Sequence, residues 1–145
     1  MWFKREFRTL ADMYHPNLVG LHSLEADGDQ WYFTMDLVDG TDFIDYVRPG
    51  DELDEARLRA ALPQLVAGVM ALHNRHVIHR DLKPSNVMVT LHDNKPMPVI
   101  IDFGVSKAIS HQLTEKTLFT AYGQMVGTPA YMSPEQAQMS RLDID

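Results

Sequence analysis

Between residues 54 and 75, Leu58, Leu62, Leu65, Val66, Val69 and Leu72 recur at helical spacing. A stripe this long specifies an amphipathic helix that must bury its apolar side against other elements. Pro63 lies inside it, where the missing N–H and the ring's clash one turn back predict a kink. The helix does not end there, because the apolar spacing continues past the proline. Shorter elements surround it. Residues 2–14 place Phe3, Phe7, Leu10, Ala11 and Tyr14 on one helical stripe, which His15-Pro16-Asn17 ends because a residue before proline is pushed out of the α region. Residues 18–24 and 30–37 read as strands of an antiparallel hairpin joined by Asp27-Gly28-Asp29. After a break at Gly40, residues 41–47 are expected to form a short helix with Phe43, Ile44 and Val47 facing inward, stopped by Pro49-Gly50. Residues 87–90 and 97–101 flank a polar turn at 92–95 as a second small hairpin. Residues 106–126 hold scattered Ser, Thr, Lys and Gln without periodicity, the pattern of a mobile surface segment.

Composition narrows the function. The 145 residues carry 13 Lys and Arg against 20 Asp and Glu, a formal charge of −7. A chain of this size buries roughly 68–70% of its unfolded surface, enough for one domain core or a large piece of a bigger one. The acidic excess, with no basic block, argues against nucleic acid or an anionic membrane as partner. With no Cys, thiolate metal sites, disulfides and Cys nucleophiles are excluded, so any metal must be held by oxygen or nitrogen. No apolar run is long enough to span a bilayer and no signal peptide opens the chain, which makes a cytoplasmic location the expectation.

Chemistry concentrates in three runs. His79-Arg80-Asp81-Leu82-Lys83-Pro84-Ser85-Asn86 follows the long helix, Asp102-Phe103-Gly104 comes next, and Gly127-Thr128-Pro129 leads to Ser133-Pro134-Glu135. In this order and spacing they resemble the protein kinase signature: the catalytic loop, the metal-binding Asp-Phe-Gly and the end of the activation segment. The stretch from Gly127 to Ala137 is most similar to the eukaryotic-type serine/threonine kinases of bacteria. The resemblance implies an α+β, protein-kinase-like fold. Residues 1–38 would be a small-lobe remnant with the connecting strand, and residues 39–145 the large-lobe portion.

The resemblance also implies roles. Transfer of a γ-phosphoryl group needs positioning and charge neutralisation more than covalent chemistry by the protein. Asp81 would accept or orient the proton of the substrate hydroxyl, and Lys83 would lie near the transferred phosphate. Asn86 and Asp102 would hold Mg²⁺, a hard cation that prefers oxygen ligands. Thr128, with Lys83, resembles the mark of kinases that act on Ser or Thr. ATP would meet Met35 at the back of the adenine pocket, the backbone of Asp36 to Val38, Asp42 at the ribose and Met88 on the pocket floor. Glu6 would be the helix glutamate that pairs with an ATP-holding lysine. Arg80 would pair with a phosphate on the activation segment, for which Thr114, Thr117 and Thr120 are candidates. Gln124 stands where many kinases carry the phosphorylated threonine. His79 is read as a packed structural residue.

Two features depart from a complete enzyme. Neither the Gly-rich loop nor the ATP-gripping lysine occurs in the sequence, and the first helix has no N-cap before it, as expected of a chain truncated at both ends. The isolated chain is accordingly expected to expose core faces and to be inactive alone. The leading reading is a protein serine/threonine kinase that uses ATP and Mg²⁺ on a protein substrate. The alternative is a degenerate kinase acting as a binding or scaffold module.

Overall fold

The computed structural model describes residues 2–28, 30–102 and 128–134, with the side chains of residues 2–6 and of Pro129 outside the described set. Helix α1 (Trp2–Ala11) leads to strands β1 (Leu21–Asp27) and β2 (Gln30–Met35). These two pair antiparallel, with Asp27 opposite Gln30 and an irregularity between Leu21 and Leu24. A two-residue strand β3 (Thr41–Asp42) runs into helix α2 (Phe43–Val47), and the long helix α3 (Glu55–His73) follows. Strands β4 (Val87–His92) and β5 (Lys95–Ile100) complete a three-stranded antiparallel sheet in the order β3-β4-β5.

Local chemistry sets the element ends. Asp54 caps α3, its Oδ1 accepting the Arg57 N–H at 3.0 Å, which satisfies one of the otherwise unpaired first-turn donors. The helix runs through Pro63 as one element, as its continuing apolar pattern requires. The β4–β5 turn consists of Asp93 and Asn94, at φ +50° and +60°. Two successive left-handed residues give the twist that lets paired strands meet across a two-residue turn, and Asp and Asn tolerate it.

Ile100 lies at the centre of the core, fully buried with Leu72. Its Cδ1 sits where a Cβ at Gly68 of α3 would be only 3.3 Å away, so the missing side chain lets α3 close on β5. On the other side, Phe7 of α1 faces Phe33 of β2 with ring centroids 6.3 Å apart, near the tilted aromatic geometry that adds to burial.

Three expectations about inward-facing residues are corrected. The buried side of α3 runs through Leu58, Ala61, Leu65, Gly68, Val69 and Leu72, whereas Leu62 and Val66 are exposed. At about 100° per residue, Leu62, Val66 and Met70 form a second stripe that the sequence pattern merges with the first. Tyr14 is exposed and Met13 buried, because α1 stops at Ala11 and Tyr14 has left the helical frame. In α2, Phe43 and Val47 are buried one turn apart while Ile44 is exposed. The first hairpin, the short helix and the second hairpin appear at the expected places. Residues 106–126 lie outside the described residues.

Truncating Ile100 to Ala is expected to destabilise the chain by about 2–5 kcal/mol in urea unfolding. Leu62→Ala is expected to stay within about 0.5 kcal/mol of the unsubstituted chain. Equal losses from both would place α3 the wrong way round.

Candidate active site

The loop after α3 turns twice through left-handed backbone, at His76 (φ +58°) and Arg80 (φ +63°). A non-glycine residue in that region costs on the order of 1–3 kcal/mol, so the surrounding contacts must hold it. His79, between them, is buried, and its Nδ1 accepts the Asp81 N–H at 3.3 Å. That contact places the ring proton on Nε2. His79 is thus the packed residue that the sequence predicts.

Asp81 then closes a network with residues 47 positions away. Its Oδ1 accepts both the Thr128 N–H and the Thr128 hydroxyl, each at 3.0 Å. Its Oδ2 lies 3.3 Å from Lys83 Nζ, and the Asp81 side chain is only 11% exposed. Lys83 Nζ donates to Thr128 Oγ1 at 2.7 Å. An ammonium has no acceptor, so the threonine oxygen accepts from Lys83 and sends its own proton to Asp81.

Asn86 ends the 3₁₀ turn Pro84–Asn86 and is buried. Its Nδ2 donates to the Asp81 carbonyl at 2.9 Å, and its own carbonyl accepts the Ile101 N–H at 2.9 Å. With the amide nitrogen committed, the side-chain oxygen is the atom available to a cation. Val87 pairs with Ile100, so Asn86, just before β4, and Asp102, just after Ile101, flank the same end of the hairpin. A neutral amide oxygen and a carboxylate at one end of a hairpin are donor types that would suit Mg²⁺, a hard cation that prefers oxygen ligands. Among the described residues no group of three His, Cys, Asp or Glu gathers as an all-protein metal cage.

The remaining sequence-predicted residues are distributed around this hairpin. Asp42 pairs with Met88 across β3–β4, which puts the expected ribose contact beside the half-buried expected pocket floor. The Asp42 Oδ1 also caps α2 by accepting the Ile44 N–H at 2.8 Å, a second duty the spacing does not disclose. Val38 packs against the core, and Met35 ends β2, 45% exposed. The Asp36 carboxylate is engaged by His22, with Nε2 to Oδ1 at 2.7 Å, a partner that sequence reasoning missed. Asn17 was also missed beyond its turn: buried, it donates from Nδ2 to the Pro98 carbonyl at 2.8 Å. The side chain of Glu6, together with Phe103, Thr114, Thr117, Thr120, Gln124 and Glu135, lies outside the described residues.

Comparison with known proteins gives the family. The protein kinase domain family matches residues 2–144, and the chain belongs to that family. The serine/threonine-protein kinase pkn2 of Myxococcus xanthus is 33% identical over 141 residues, 97% of this chain and 17% of pkn2. The CBL-interacting serine/threonine-protein kinase 17 of Arabidopsis thaliana is 38% identical over 132 residues, 91% of this chain and 29% of that protein. The crystal structure of Rad53 1-466 in complex with AMP-PNP superposes with a TM-score of 0.63 at 30% identity, covering 71% of this chain and 28% of that one. The chain therefore spans less than a third of each of these relatives. The protein-kinase-like fold expected from the sequence is the fold observed. No described helix is long and apolar enough to cross a membrane.

Thr128→Val removes the hydroxyl that links Lys83 to Asp81 and is expected to cost about 1.5–3 kcal/mol, the range for hydrogen bonds to charged groups. Thr128→Ser keeps that oxygen and is expected to cost less than about 1 kcal/mol. Chemical denaturation of the two variants checks the difference.

Proposed function

We propose that the protein carrying this chain transfers the γ-phosphoryl group of ATP to a serine or threonine hydroxyl of a protein substrate. The observation that carries the proposal is the Asp81–Lys83–Thr128 triangle, tied through the Asp81 carbonyl to Asn86. It puts a carboxylate acceptor, an ammonium donor and an amide oxygen within one short loop. Phosphoryl transfer asks for this assembly, since its catalysis is mostly positioning and charge stabilisation.

In this reading the substrate hydroxyl oxygen bonds to the γ-phosphorus as the bond to the β,γ-bridging oxygen breaks, and ADP leaves. The hydroxyl proton passes to the Asp81 carboxylate. Lys83, already directed into the triangle, balances negative charge on the phosphoryl oxygens. Asn86 Oδ1 and Asp102 would hold Mg²⁺, which neutralises phosphate charge when bound. The connecting stretch 36–38 would present its backbone to adenine, with Asp42 at the ribose and Met88 beneath the ring. Arg80 would answer a phosphate on Thr114, Thr117 or Thr120. Membership in a family whose named relatives are serine/threonine kinases supports the hydroxyl specificity.

The test is phosphate transfer from radiolabelled ATP to a Ser/Thr protein substrate by the full-length protein. Asp81→Asn is expected to lower kcat by roughly 10²–10⁴, the range for loss of a general base. Asp102→Ala or removal of Mg²⁺ by a chelator should abolish transfer. Unchanged turnover in Asp81→Asn would overturn the assignment.

A further inference from the structure

Asp36 leaves β2 and opens the connecting stretch toward β3, and three observations tie it to the start of β1. Its N–H donates to the Gly20 carbonyl at 2.8 Å. Its carboxylate folds back over β1, where Oδ1 lies 2.7 Å from His22 Nε2. Its Oδ2 occupies the space beside Gly20, so that a Cβ on residue 20 would overlap it. Gly20 is not among the glycines with positive φ, which are Gly28 and Gly50 among the described residues. The backbone at position 20 therefore has no need of glycine. What the missing side chain provides is a seat for the Asp36 carboxylate.

The same short segment is anchored on its opposite side. Leu18 bridges Ile100 in parallel register, and the Val19 N–H donates to the Ile100 carbonyl at 2.9 Å. Ile100 is two residues before Asp102. Residues 18–22 thus join the connecting stretch to the strand that delivers the carboxylate expected at the metal.

We propose that Gly20, His22 and Asp36 form a latch that sets the connecting stretch in register with β5, with Asp36 as a positioning residue for the adenine end of a bound nucleotide. The latch rests on the phosphoryl-transfer reading, which puts adenine at residues 36–38 and the cation at Asp102. His22 and Asp36 are each 57% exposed, so the effect is modest, roughly two- to fivefold in affinity, as for other exposed hydrogen-bonded pairs. Its worth lies in direction, since a small rotation of the connecting stretch moves the base relative to the phosphates.

The experiment titrates the full-length protein with a fluorescent adenine nucleotide, mant-ADP. His22→Ala and Gly20→Ala are each expected to raise Kd roughly two- to fivefold. His22→Gln, which keeps a side-chain N–H donor, should restore affinity. His22→Ala should raise the KM for ATP while kcat at saturating ATP stays unchanged, a split that a general loss of stability would not produce. Gly20→Ala should add nothing in an Asp36→Ala background, because the seat has no occupant there. Full additivity in that cycle, or unchanged Kd and KM in His22→Ala, would overturn the latch. If Gly20→Ala fails to fold, the exposed His22→Ala and His22→Gln pair decides alone. Failure of the unsubstituted protein to bind nucleotide rejects both readings, whereas full binding by every variant rejects only the latch.

Discussion

The two described sheets are joined where the segment that leads into β1 meets the backbone of Ile100. Its N–H donates to the Asn17 carbonyl and its carbonyl accepts the Val19 N–H, both at 2.9 Å. The side chain is fully buried against the bare backbone of Gly68 in α3. Buried backbone groups left without partners would each cost about 1–3 kcal/mol, so this junction cannot slide without loss. It places the end of β5, and with it Asp102, at a set distance from the segment that holds the first hairpin.

The loop that follows α3 is built on a different balance. Left-handed backbone at His76 and Arg80 is unfavourable by on the order of 1–3 kcal/mol each. Four hydrogen bonds offset it: Asp81 N–H to His79, Asn86 Nδ2 to the Asp81 carbonyl, and both the N–H and the hydroxyl of Thr128 to the Asp81 carboxylate. Bonds to a charged group are worth about 1.5–3 kcal/mol, so the carboxylate that the reaction would use also helps hold the loop in its shape. Structure and the proposed chemistry draw on the same atoms.

Much of the site was legible because its residues lie close together along the chain. Asp81, Lys83 and Asn86 fall within six positions, and the roles expected of them came from the resemblance of the whole run to the kinase signature. The cross-chain contact from Lys83 to Thr128 was legible only as a family resemblance. Sequence pattern failed where two faces of one helix are both apolar, as with Leu62 and Val66. It failed again where an element ends three residues early, as with Tyr14 after Ala11. The pairing of His22 with Asp36 left no trace, because nothing in the spacing of 14 residues marks two side chains on adjoining strands as neighbours.

Residue order alone determined the succession of helices and hairpins, the motif chemistry and the family, since hydrophobic period, turn residues and short motifs are local properties of the chain. Tertiary structure alone decided which side of α3 is buried, that the Asn86 amide nitrogen is bonded to the Asp81 carbonyl, and that Gly20 is a seat for a carboxylate rather than a bend. Those outcomes depend on contacts between segments distant in the chain, where close packing and hydrogen-bond satisfaction select one arrangement from many that the local pattern allows.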